Sequence, residues 1–194
     1  EDLEKVLGIS IKKYNSGVHA QTAIEGVIEM KEEFGIDPAQ IENVHVETYE
    51  RAYFIMGGGG AGDKHDIRNK ETADHSIPYV LAAAILDGQV MPAQYEIERI
   101  LADDVQALLR RVTASCGDDM TARYPAESPV RITITMKDGG VHEREKPGFE
   151  GFHASPMRRE TLLGKFEALS EPHTSPGLRS EISDAVSKLE SIQA

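Results

Sequence analysis

Two short stretches of this chain concentrate side chains that can move or hold a proton just ahead of a helix. The first is Asp74-His75-Ser76, inside NKETADHSIPYVLAAAILDG, Asn69 to Gly88. From Ile77 the polar residues give way to an almost unbroken apolar segment. A helix start presents free N–H donors and the positive end of a dipole, which suits a carboxylate ligand. An adjacent imidazole suits proton transfer. Capping is the competing reading, because Asp74 or Ser76 can accept from a free backbone N–H, with Pro78 in the first turn. It explains either residue but not all three. The second stretch is IKKYNSGVHAQ, Ile11 to Gln21, which sets Lys12, Lys13, Tyr14 and His19 before another helix. Lysine is unfavourable near the positive end of a helix. A role in holding an anion therefore stands beside plain solvation.

Other candidates carry less. Gly57, Gly59 and Gly62 satisfy G-x-G-x-x-G, but no helical pattern begins there, and Asp63 stands where a phosphate-binding loop needs lysine. Met56 to Lys70 reads instead as a mobile loop, for which a lid is one use. Asp63, His65 and Asp66 could ligate a metal, yet no fixed spacing on a rigid element supports it. Cys116, the single cysteine, reads as a half-buried residue at a helix end and allows no intrachain disulfide.

These clusters need elements to hold them. His19–Gly35 has an apolar helical stripe, and Gly35 with Pro38 ends it. Ile41–Glu50 alternates, with Val44, Val46 and Thr48 on one face, which predicts a half-buried strand. Ile77–Leu86 predicts a helix buried nearly all round. PAQYEIERIL and DDVQALLRRV predict two more helices, with Val112 on the stripe of the second. Val130–Lys146 predicts two strands about an Asp138-Gly139-Gly140 turn. Ser155-Pro156 predicts the cap of a helix over MRRETLLGKFEALS, and a last helix closes the chain. The class is α+β, a small antiparallel sheet of about three strands packed with several helices.

The 194 residues suit one domain. A net charge of −12 argues against nucleic acid and against an anionic membrane surface. No apolar run approaches the roughly 20 residues of a membrane helix. One cysteine is compatible with a reducing cytoplasm.

Taken in order, the segments resemble the MmgE/PrpD family, which includes 2-methylcitrate dehydratase and cis-aconitate decarboxylase. KETADHSIPYVLAAAILDG is similar to the family's R/K-E-T-A-D-H-S-L-P-Y segment and the apolar helix after it. IKKYNSGVHAQTAIEG resembles the segment in which a lysine and an aromatic residue precede a helix carrying H-x-Q, though Lys13 stands where many of the family have proline. MKDGGVHEREKPGFEG and SPMRRETLLGKFEAL resemble the strand–turn–strand and the "KF" ending. The resemblance implies that residues 1–194 are the α+β lid domain with C-terminal helices, and that an all-helical catalytic half lies outside this sequence. A start at Glu1 without Met agrees with an excised piece. It implies Lys12 and His75 as catalytic residues, Lys12 reaching the substrate carboxylates, with Tyr14, His19, Lys70 and Ser76 at the substrate. It implies a hydro-lyase, decarboxylase or isomerase of a small di- or tricarboxylate such as 2-methylcitrate, in propionate metabolism. Such an enzyme would use no metal or organic cofactor and would be a cytoplasmic homodimer. The domain alone would be inactive. Its last helix (Ile182, Ala185, Val186, Leu189) would dock the missing half. The alternative is a non-catalytic binding or assembly module of the same fold.

Overall fold

The computed structural model describes residues 3–60 and 62–191. A turn at Leu3–Gly8 leads into an irregular strap over residues 9–17, and a turn at Val18–Ala20 enters helix α1, Gln21–Phe34. Strand β1, Ile41–Thr48, is followed by the short helix α2, Glu50–Ala52, which widens into one turn of π-helix over Tyr53–Gly57. Helices α3, Lys70–Ala73, α4, Ile77–Asp87, α5, Ile97–Ile100, and α6, Asp103–Leu109, come next. Strand β2, Val112–Cys116, helix α7, Asp118–Arg123, and strands β3, Val130–Met136, and β4, Val141–Lys146, complete the sheet. Helices α8, Arg159–Ser170, and α9, Pro176–Ser187, end the chain.

The sheet has four strands in the order β2-β1-β3-β4. β1 pairs antiparallel with β3 and parallel with β2, and β3 pairs antiparallel with β4. Alternation sorts the faces as the sequence predicts. Val44, Val46, Thr48, Val130, Ile132 and Ile134 are buried, while His45, Glu47, Arg131 and Thr133 line the more open face. Helices α1 and α4 pack together over the buried face, α1 against β3 and β4, α4 against α6 and β2. Every residue of α4 from Ile77 to Ile85 is buried, so this helix is the core's centre and its first turn is a fixed platform.

The class is α+β, as the sequence implies, and the sheet gains one strand. Val112 leaves the predicted helix stripe and begins β2 opposite Val44. Pairing with β1 decides this five-residue segment, whose own alternation is too weak to declare a strand. Cys116 therefore ends a strand, not a helix, and is exposed. PAQYEIERIL divides into a turn at Pro92–Tyr95 and the short α5. Ser155-Pro156 does not cap α8, which starts at Arg159. The Ser155 peptide is already used, its carbonyl accepting from Gly151 N–H at 2.7 Å and its N–H donating to the Phe152 carbonyl at 2.8 Å. The glycine run near Gly57 wraps an aromatic side chain, since a Cβ at Gly57 or Gly59 would lie 2.6–2.7 Å from the Tyr53 ring.

The strap is sewn to the domain at Gly151, whose carbonyl accepts from Ile11 N–H at 2.7 Å. Gly151 has φ +105°, and a Cβ there would meet the Ile11 carbonyl oxygen at 2.1 Å. Both the backbone conformation and the space require glycine. Gly151→Ala should cost about 1–3 kcal/mol, and at this chain length each kcal/mol lowers Tm by roughly 2–4 °C. Gly164→Ala, in α8 with nothing within 4 Å of its Cβ, should instead gain about 0.5–1 kcal/mol. Calorimetry of the two variants checks both signs.

Candidate functional site

The strap is held by one buried side chain. Gln21, in the first turn of α1, accepts from Tyr14 N–H at 2.9 Å and donates to the Tyr14 carbonyl at 3.1 Å. It also lies within reach of the Ser16 and Gly17 carbonyls at 3.4 and 3.5 Å. Gln21 is wholly buried, so these bonds form away from water. The far side of the strap meets the second cluster. Gly17 N–H and the Ser16 hydroxyl both donate to the Asp74 carbonyl, at 3.2 and 3.3 Å, and Asn15 N–H donates to Val90 at 2.8 Å. The two stretches singled out by their chemistry are therefore neighbours.

The Asp74-His75-Ser76 cluster divides its labour. Ser76 is the N-cap of α4, accepting from Tyr79 N–H at 3.1 Å and donating to the Lys64 carbonyl at 2.6 Å, and it is fully buried. Asp74 leaves capping to it. Its carboxylate accepts from His75 Nδ1, and the imidazole is about half exposed. With Nδ1–H engaged, Nε2 is the nitrogen left to exchange a proton with a ligand. The entry to α4 thus joins a buried cap, Ser76, to a half-exposed histidine, His75.

Lys12 and Lys13 behave oppositely. Lys13 turns inward, its Nζ 2.9 Å from Glu25 and 3.3 Å from Glu150. Burial pulls its pKa down, and the two carboxylates more than offset this, leaving it above the ordinary lysine value. Glu150 accepts from Arg158 Nε at 2.8 Å, Arg158 N–H at 3.0 Å and the Thr161 hydroxyl at 2.7 Å. The Arg158 guanidinium, opposed by partial burial, holds the Glu150 carboxyl far below the usual carboxylate range. Glu25 takes a second cation, Lys146, at 3.2 Å. Lys13, Glu25, Lys146, Glu150 and Arg158 line an open cleft of about 680 Å³. Lys12 is exposed and has no acidic partner among the described residues. Its carbonyl accepts from Lys165 Nζ of α8, and burial, then repulsion from Lys12, lowers the Lys165 pKa.

The remaining predicted residues scatter. Tyr14 is buried beside Lys13, whose ammonium lies 5.6 Å from the ring centroid, and burial pushes its hydroxyl up to about 12. His19 sits in a separate cavity, with Nδ1 2.7 Å from Tyr49 Oη. Lys70 opens α3 and is exposed. In the loop, His65 Nε2 is 2.9 Å from the Val112 carbonyl and serves as an anchor. Sequence reasoning missed Gln21, Glu25, Glu150, Arg158 and Lys165. Gln21 and Lys165 carried a signal, Gln21 by its place after His19 in the H-x-Q pattern and Lys165 as the lysine of the KF ending.

The two-layer α+β domain thus displays a lysine strap beside an Asp–His pair, groups whose chemistry suits an anionic ligand. The chain belongs to the MmgE/PrpD family, residues 14–191 matching the MmgE/PrpD C-terminal domain. It is 31% identical over 136 residues to a 2-methylcitrate dehydratase of Cupriavidus necator, covering 66% of this chain and 27% of that one. It is 26% identical to a cis-aconitate decarboxylase of Mus musculus, over 64% of this chain and 25% of that one. It is 27% identical to a mitochondrial 2-methylcitrate dehydratase of Yarrowia lipolytica, over 76% and 29%. The matches thus span about a quarter of each relative's length. Among the described residues, no helix is long and apolar enough to cross a membrane.

The depressed Glu150 carboxyl sets a pH dependence. Its contribution to stability is complete above the ordinary value of 4.5 and is lost as pH falls below it towards the folded-state pKa. The Tm difference between the parent chain and Glu150→Gln should therefore be largest near neutrality and shrink steadily between 4.5 and about pH 3. A difference that is constant across that window would show that the Glu150 charge does not stabilise the fold.

Proposed function

We propose that this chain is the lid-side wall of a lyase active site that acts on a small di- or tricarboxylate such as 2-methylcitrate. The observation that carries this reading is the Lys12–Lys165 pair. Two ammonium groups stand together with no acidic partner among the described residues, on a chain of net charge −12. Repulsion between them is relieved when a carboxylate binds, and the lowered Lys165 pKa has that repulsion as one cause. Membership of a family with dehydratase and decarboxylase relatives supports the reaction class.

In a dehydration, a base removes the proton α to a carboxylate, an acid protonates the departing hydroxyl, and water leaves as the double bond forms. Lys12 and Lys165 would hold the carboxylates and stabilise the enolate charge that develops. His75, oriented through Nδ1 by Asp74, would exchange a proton at Nε2. The other acid–base groups would come from a helical partner region. A seat for that region is offered by α8 and α9, whose facing sides leave an apolar groove of about 270 Å³ lined by Leu162, Leu163, Phe166, Ile182 and Val186. Val186 is 64% exposed and Leu162 46%, so this surface asks for a cover. The same groove favours the second reading, an assembly module, if the covering region brings no catalytic groups.

In the longer protein carrying the helical region, Lys12→Ala should lower kcat/KM on 2-methylcitrate by more than about tenfold, a loss above about 1.4 kcal/mol. His75→Gln should act mainly on kcat. Circular dichroism should stay unchanged for both, and the purified 194-residue chain should turn over neither 2-methylcitrate nor cis-aconitate. Parent-like kinetics in both variants would leave the assembly reading standing.

A further inference from the structure

Lys64 follows the glycine run, on the segment that leads to α3, and its side chain turns into the domain. It is 9% exposed. Gly58 packs over its stem, since a Cβ there would lie 3.9 Å from Lys64 Cγ. The backbone on this segment is held at two points. The Lys64 carbonyl accepts from the buried Ser76 hydroxyl at 2.6 Å, and the next residue, His65, reaches the Val112 carbonyl at 2.9 Å through Nε2. No acid answers the ammonium. On a chain with 33 acidic residues, the two nearest in sequence are spent elsewhere, Asp63 on the His65 N–H at 2.8 Å and Asp66 on Arg68 Nε at 2.7 Å. Among the described residues, Lys64 Nζ has neither an ion-pair nor a hydrogen-bond partner, and it keeps contact with solvent. Lys13, Lys31, Lys137 and Lys146 differ, since carboxylates or backbone carbonyls hold their ammonium groups. Burial without a partner disfavours the charged form and lowers the Lys64 pKa. An amine in that state offers its lone pair at a pH where exposed lysines keep their proton.

The surroundings also choose between electrophiles. A carbonyl compound would give an imine, which is basic and returns a charge to the same desolvated place. An acyl donor gives a neutral amide, which has no charge to desolvate. We propose that Lys64 is a nucleophilic lysine that takes a small acyl group from an acyl thioester. The amine lone pair attacks the thioester carbonyl, the C–N bond forms, the C–S bond breaks, and the proton lost by nitrogen leaves with the thiol. The inference does not rest on the lyase reading, which gives Lys64 no part.

Acetylation of the 194-residue chain by S-acetyl-N-acetylcysteamine, followed site by site by peptide mass spectrometry, tests it. At about pH 7.5, Lys64 should gain acetyl at least about threefold faster than the exposed Lys70, and the salt-bridged Lys13 should lag behind both. The rate at Lys64 should also rise at lower pH than the rate at Lys70. In guanidinium chloride sufficient to unfold the chain, the preference should vanish. Labelling of Lys64 no faster than Lys70, a shared pH profile, or a preference that survives unfolding would overturn the assignment. So would reductive trapping of propanal at Lys64 with no acetyl transfer from the thioester.

Discussion

The Glu150 carboxylate is the point at which three parts of the chain meet. It takes Lys13 from the strap, the Arg158 peptide and guanidinium from the entry to α8, and the Thr161 hydroxyl from within α8. A carboxylate with this many donors is strongly held in its charged form. Removing it would leave Lys13 with a single carboxylate and α8 without the acceptor at its first turn. Glu150 thus braces, beside Gln21, the strap that carries Lys12, and it anchors the helix that carries Lys165.

Charge on this acidic domain is arranged for contrast. Where α1 meets β4, cations and anions are matched, Lys146 with Glu25 and Glu29, and Arg144 with Glu29 and Glu33. Exposed pairs of this kind add little stability individually, and their value grows when they share partners in a network. Against that background, Lys12 and Lys165 stand out because they lie together with no acid answering either among the described residues. A cation left unpaired on a chain of net charge −12 is a place where an anion can be received. The fold fixes the strap that carries Lys12 by spending a buried polar group, Gln21, on its backbone.

Much of this was legible in the residues, for reasons that differ by element. The strands β1 and β3 declared themselves because one face is buried and the other wet, so alternation is strict. The helix α4 declared itself by an apolar run with Ser76 ahead and Gly88 behind. β2 was hidden, because a short edge strand beside a helix takes its structure from β1, not from its own pattern. The start of α8 was misplaced because its acceptor is Glu150, eight residues before Arg158, where a local capping rule cannot look. Lys12 and His75 were readable as side chains able to hold an anion or move a proton. The difference between Lys12 and its neighbour Lys13 was not, since it rests on Glu25 and Glu150, which are 12 and 137 residues from Lys13.

Whether Glu150 places the lysine strap can be measured directly by amide hydrogen exchange. In Glu150→Gln, exchange at Ile11, Tyr14, Asn15 and Gly17 should accelerate, while the β1 and β3 amides of Val44, Val46, Ile132 and Ile134 keep their protection. Unchanged protection of the strap, or a uniform loss across the sheet, would contradict the claim that this carboxylate holds the strap in its working position.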